Sequence, residues 1–360
     1  MSKNLVLPSI IITTVILIFA SVNLLHPKEK SQLVIAPPSI IPSPTIILTI
    51  PNRKILENDY HVFQTFNNCG PAALSMALSY NGINISQEIL GQDLRPYQIP
   101  GGDNDDKSVT LEELAQKAED LGLIPYHRPR GNIDLVKKFI SRGMPVITRT
   151  WTRLNEDIGH YRIIKGYDDT THEIIQDDSL QGKNLRYSYG DFEKLWEKFN
   201  YEYLVLVPKE KENLALHILS EYADSKTAWQ NAISLSKNHL DQNPDDIYAR
   251  FNLSVALYNI GDFKSSTEEF EKVENLLPFR TLWYQIEPIE AYYELGNYEK
   301  VFSLTDKILN NANRAFSELY ILRGGIYKKQ GNIGAARNEF EKAVFYNKNL
   351  LSAQKALDSL

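Results

Sequence analysis

Three triplets, Gly261-Asp262-Phe263, Gly296-Asn297-Tyr298 and Gly331-Asn332-Ile333, recur at intervals of 35 residues. No other feature restricts the fold as much. Each triplet lies between two helical patterns. Phe270 and Val273 follow the first, ahead of Pro278. Gly324 and Tyr327 precede the third, and Ala336, Phe340 and Ala343 follow it. A unit of this length cannot bury its own apolar face, so its neighbours must stack on it. The glycine makes the turn between helices, and small residues let helices approach. The period predicts an all-α solenoid over residues 213–360. A degenerate first unit lies near 214–244, and a last helix through 351–360 caps the stack.

The array resembles the tetratricopeptide repeat. That resemblance implies a concave surface that binds peptides or a protein partner. The alternatives are a rigid spacer or a dimerisation module. Tyr258, Tyr292, Tyr293 and Tyr327 fall on first helices of the units, but several are packing positions, so no site is assigned to them.

The other end of the chain is different. Residues 5–25 carry no charged side chain and are long enough to span a hydrocarbon core of about 30 Å. Ala20-Ser21-Val22 is a poor cleavage site, so an uncleaved single-pass signal anchor over residues 1–25 is expected, with secretion after cleavage as the alternative. Lys3 before the span and Lys28 and Lys30 after it decide orientation only weakly. Five prolines between residues 33 and 51 mark an extended linker, set at 26–58. The domain between linker and repeats, 59–208, is then expected outside the cytoplasm.

Within it lies the only cysteine of the chain, Cys69, in Asn68-Cys69-Gly70-Pro71-Ala72. It has no partner for an internal disulfide. Ala73, Leu74, Ala77 and Leu78 predict an amphipathic helix stopped by Gly82, and Pro71 suits its first turn. Cys69 would open that helix, where unpaired N–H groups and the macrodipole favour a thiolate nucleophile. Downstream, Gly159-His160-Tyr161 begins a strand, and Glu173 to Gln176 forms another that ends in Asp177-Asp178-Ser179. A histidine at one strand start and an aspartate at the next strand end can serve a cysteine as base and orienting group. Thr110 to Glu113 reads as a capping box, Asn132 as a second cap, and 145–151 and 203–207 as strands. Helices first and strands later describe an α+β domain.

Residues from about 61 to 207 resemble papain-like cysteine peptidases of the bacteriocin-processing, double-glycine type, in a stand-alone form. The matching fragments are Gln64 with Asn68 to Ala72, Leu94-Arg95-Pro96, Gly122-Leu123, Gly131-Asn132, Gly143 to Ile147, Gly159-His160-Tyr161 with Gly166 to Asp169, and Asp178-Ser179 with Gly182. The resemblance implies roles. Cys69 is the nucleophile and His160 the general base. Asp178 is the third member because it stands four residues before Gly182, and Asp177 is its rival. Gln64, five residues before Cys69, is the side-chain donor of an oxyanion hole, with His61 and Asn68 as other candidates.

A net charge of −6 with mixed signs gives no basic patch for nucleic acid. No phosphate-binding glycine loop or zinc-spaced Cys/His cluster is present in the sequence, so no cofactor or metal is expected. Gly101 to Asp106 is an acidic turn without EF-hand spacing, and His127 and His172 read as surface or structural residues. Trp151 either lines the cleft or packs in the core. The expected function is a membrane-tethered extracytoplasmic cysteine peptidase acting on peptides or proteins, with repeats that recruit a partner or substrate. The alternative is a non-catalytic peptide-binding assembly protein.

Overall fold

A computed structural model describes residues 49–99, 109–311 and 313–360. The expected membrane span, most of the linker and the acidic turn lie outside the described residues. Among the described residues, no helix is long and apolar enough to cross a membrane. Residues from Leu48 onward form one compact unit.

The first half of that unit is a seven-stranded antiparallel sheet flanked by helices. Its elements run β1 (Arg53–Ile55), α1 (Cys69–Ser79), α2 (Gln87–Leu94), α3 (Leu111–Asp120), β2 (Ile124–Arg128), α4 (Ile133–Ser141), β3 (Val146–Trp151), β4 (Gly159–Asp168), β5 (Glu173–Asp178), β6 (Gly182–Ser188), α5 (Tyr189–Trp196) and β7 (Tyr203–Val207). The strand order is β2-β7-β3-β4-β5-β6, and β1 pairs with β4. Strand β1 falls inside the stretch that composition assigns to the linker. It is fixed by register with β4, Arg53 opposite Asp168, and by the Tyr167 hydroxyl donating to the Pro51 carbonyl at 2.8 Å.

Alternation along β7 explains the layers. Val205 and Val207 join Val136, Phe139 and Trp196 on one face of the sheet, whereas Leu204 and Leu206 join Leu74, Ala77 and Leu114 on the other. Helix α1 is therefore buried from Cys69 to Leu78 on every side, not on one face as its pattern suggests, because β4, α2 and α3 all pack against it. Helix α3 opens with the expected capping box, Thr110 with Glu113, and Asn132 caps α4 through the Leu135 N–H.

The second half is helical: α6 (Glu212–Leu219), α7 (Ser225–Gln242), α8 (Ile247–Asn259), α9 (Phe263–Glu271), α10 (Thr281–Tyr284), α11 (Glu287–Glu294), α12 (Tyr298–Leu309), α13 (Ser317–Lys329), α14 (Ile333–Tyr346) and α15 (Leu351–Asp358). The recurring triplets join α8 to α9, α11 to α12 and α13 to α14. Gly261, Gly296 and Gly331 adopt φ of 85°, 73° and 76°, the left-handed conformation that ends a helix. The next residue, Asp262, Asn297 or Asn332, caps the following helix by accepting from a backbone N–H three residues on. One dipeptide thus stops one helix and starts the next. Trp229, Phe251, Phe270, Tyr292, Leu304, Leu319 and Ala343 form one continuous core through these helices.

Candidate active site

Cys69 is the first residue of α1 and is 9% exposed. Asn68 makes no side-chain cap there, so its side chain does not take up the first backbone N–H groups of the helix. The loop before it is clamped from α2 and beyond. Gln87 accepts from the Thr65 N–H at 2.9 Å and donates to the Phe63 carbonyl at 2.7 Å. Arg95 donates to the Asn67 carbonyl at 2.5 Å. Asn67 itself takes a left-handed φ of 53°, which asparagine tolerates. Asn68 donates to Thr65 Oγ1 at 2.7 Å and accepts from Gln98 at 3.1 Å. A Cβ on Gly91 would lie 2.7 Å from Asn68 Oδ1, so a glycine there lets α2 approach the loop.

His160, the second residue of β4, is 2% exposed. Its Nε2 lies 2.8 Å from Asp178 Oδ1, and Cys69 is near enough for its thiol to act on the imidazole pKa. With Nε2 engaged by the carboxylate, Nδ1 is left for the thiol. Burial works against an imidazolium here, but the hydrogen bonds and charges of Asp178 and Cys69 outweigh it and raise the His160 pKa.

Asp178 ends β5 and is fully buried. Its Oδ1 also accepts from the N–H groups of Leu180 and Gln181 at 2.7 and 2.9 Å, and its Oδ2 pairs with Arg162 Nε at 3.0 Å. Burial would raise this carboxyl. The His160 hydrogen bond and charge, the Arg162 charge and the Gln181 N–H overcome that and hold it at about 2. Asp177 points elsewhere: it pairs with Lys165 at 2.9 Å and accepts from the Asn184 N–H at 2.8 Å.

Gln64 reaches the same corner. Its N–H donates to the Ser179 carbonyl, and its Oε1 accepts from the Ser179 hydroxyl, both at 2.8 Å. That fixes the amide and leaves Nε2 without a partner among the described residues. The other two donor candidates are occupied, Asn68 as above and His61 on the Asp178 carbonyl at 3.0 Å.

Several positioning residues escaped the sequence reading. Arg162 is fully buried and donates to Thr150 Oγ1 and to the carbonyls of Trp151 and Thr152 while it holds Asp178. It stands two residues after His160, so strand alternation alone puts both on one face. Gln87 gave no local signal, because its partners lie more than twenty residues away. Of the residues set apart from the site, His127 lies between Glu112 at 3.1 Å and Glu202 at 2.7 Å. Burial opposes its charge, yet the two carboxylates push it up to about 9. His172 occupies the β4–β5 turn at φ 55°. Trp151 packs edge-on against Tyr248 of α8 at 5.2 Å.

Residues 47–204 match the family described as the Peptidase_C39 like family, and that match points to a cysteine peptidase. Two solved structures are similar to part of the chain. A putative C39-like peptidase from Bacillus anthracis is 19% identical, aligned over 44% of this chain and 98% of that one, with a TM-score of 0.36. The peptidase domain of Streptococcus ComA, a bi-functional ABC transporter of a quorum sensing pathway, is 20% identical over 41% and 97%, with a TM-score of 0.33. No curated protein matches the chain.

Proposed function

We propose that the chain is a membrane-tethered extracytoplasmic cysteine peptidase with Cys69, His160 and Asp178 as its triad. The observation that carries this reading is the placement of His160, 2.8 Å from the Asp178 carboxylate and near enough to Cys69 for the thiol to raise its pKa, with Cys69 buried as the first residue of a helix. His160 takes the thiol proton as Cys69 Sγ attacks the peptide carbonyl carbon. The carbonyl oxygen becomes an oxyanion, held by the Cys69 N–H and Gln64 Nε2. His160 then gives its proton to the departing amine as the C–N bond breaks. Water, deprotonated by His160, cleaves the thioester and restores the thiol. Asp178 keeps the imidazole oriented and balances its charge. The helices after residue 212, which resemble tetratricopeptide repeats, recruit a protein partner or the substrate itself.

Iodoacetamide labelling of the full chain in a nonionic detergent tests the pair. Cys69 should label rapidly at pH 6 in the wild type, and His160→Ala should slow it by roughly 10²-fold. Hydrolysis of a peptide library should disappear in Cys69→Ala. Labelling that is slow at pH 6 and indifferent to His160→Ala would sink the peptidase reading and leave a peptide-binding scaffold.

A further inference from the structure

A cavity of about 660 Å³ lies between the β2–β7 edge of the sheet and the helical stack, apart from Cys69. Its charge is lopsided. Glu112, Glu113, Glu202, Glu287, Glu290 and Glu318 line it against His127, Arg128 and Arg149. Two of those cations are already used. His127 is held by Glu112 and Glu202, and Arg128 donates to the carbonyls of His127, Tyr222 and Ala223. The cavity wall also carries polar atoms that lack partners among the described residues. Trp283 is 2% exposed and its indole N–H is unbonded. Arg149 is 4% exposed; its Nη1 donates to the Tyr284 carbonyl, while Nε and Nη2 have no acceptor. Glu287 Oε2 is shielded from solvent and unbonded. Buried polar groups are paired as a rule, so three exceptions around one cavity point to a ligand that completes them.

We propose that this cavity binds a lysine or arginine side chain of a peptide, with Glu287 and Glu290 on the cationic head and the Trp283 and Arg149 N–H groups on its backbone carbonyls. Trp229, Trp283 and Tyr258 line the same space, and aromatic rings attract a cation. The proposal gives the recruiting role of the helices a site and a ligand class. It rests on that role and is independent of cleavage at Cys69.

Binding has a proton signature. Burial and the neighbouring charges of Glu202 and Glu290 push Glu287 up to about 8, with Arg149 acting in the opposite direction. His127, Arg128, Glu112, Glu113 and Glu318 complete the charged lining. A cationic ligand favours the ionised carboxylate, so binding at pH 7 releases a proton and affinity rises from pH 6 to pH 8.

Calorimetry on full-length Cys69→Ala in detergent, with acetyl-Ala-Arg-Ala-amide and acetyl-Ala-Lys-Ala-amide, reads binding without turnover. Both peptides should bind and quench tryptophan fluorescence. The norleucine counterpart, and the basic peptides on Glu287→Gln or Glu290→Gln, should bind roughly tenfold more weakly or worse. Trp283→Phe should remove most of the quenching. Three outcomes would overturn the proposal: no binding of either basic peptide, equal binding of the norleucine peptide, or affinity unchanged in both glutamine variants. Free spermidine binding more tightly than either peptide would overturn the peptide assignment. Hydrolysis by the wild-type chain is scored separately, so an inactive cavity and an inactive triad give different results. Binding that persists in both glutamine variants places recruitment elsewhere on the helices.

Discussion

Arg162 and Asp178 form an ion pair with both side chains fully buried. Removing one partner of such a pair leaves a charge that neither water nor protein balances. Arg162→Met should therefore destabilise the protein by about 3–5 kcal/mol in urea denaturation. Asp178 also sets an acid limit. Its carboxyl is held at about 2 against an ordinary 3.8, so its contribution is complete above the ordinary value and fades as pH falls toward 2. The difference corresponds to about 2 kcal/mol at 1.36 kcal/mol per unit. Chemical denaturation between pH 5 and pH 2 should show that loss in the wild type, and a shallower acid slope in Asp178→Asn. His160 works with the opposite sign. Its raised pKa stabilises the fold below its ordinary value, and that contribution is lost as pH rises through the raised one.

At the level of elements, glycines of two kinds separate packing from propensity. A Cβ on Gly324 in α13 would lie 2.4 Å from the Phe340 ring of α14, whereas nothing lies within 4 Å of one on Gly334. Gly324→Ala should cost about 1–3 kcal/mol through overpacking. Gly334→Ala should be neutral or stabilising by up to about 1 kcal/mol, since alanine is the better helix former. Thermal melts of the two variants, compared with the wild type, check both. The same contrast explains what the sequence could tell. The capping box at Thr110, the cap at Asn132 and the strand Tyr203–Val207 are local patterns, and they were legible. The glycine triplets were legible as turns, but not the capping role of Asp262, Asn297 and Asn332. Cys69, His160 and Gln64 sit in local motifs that single them out as candidates. The Arg162 anchor and the Gln87 and Arg95 clamps were not legible, because each depends on partners that only the folded chain brings near. Which of Asp177 and Asp178 faces His160 depended on the β4–β5 register, which sets Asp178 opposite Arg162 and Asp177 opposite Ile163.

Across the whole molecule, the repeat pattern is interrupted where the helices dock on the sheet. Between α9 and α11 the chain leaves the regular helix pair, passes Pro278 and forms only the short α10. That irregular stretch supplies Arg280, paired with Asp157 at 3.0 Å, and Tyr284, whose carbonyl takes Arg149 and whose ring lies about 3 Å from where a Cβ on Gly159 would be. Gly159 directly precedes His160, so strand β4 begins against the helical part. Further contacts are spread widely. Asn200 and Asn252 exchange side-chain-to-backbone hydrogen bonds with the opposite half, and Asn347 and Asn349 donate to the carbonyls of Leu94, Gln92 and Asp93 at the end of α2. Tyr97 packs against Phe345 and Tyr346. An interface that draws on β3, β4 and α2 on one side and on α8, α10 and the α14–α15 turn on the other should not open independently of either half. Scanning calorimetry of the full chain should therefore give one transition for the unit from Leu48 to Leu360, with calorimetric and van't Hoff enthalpies equal. Tyr284→Ala should lower that transition as a whole and raise the rate at which iodoacetamide reaches Cys69. Two resolved transitions, with Cys69 labelling following only the lower one, would mean that the halves fold separately and that the docking contacts contribute little to the site.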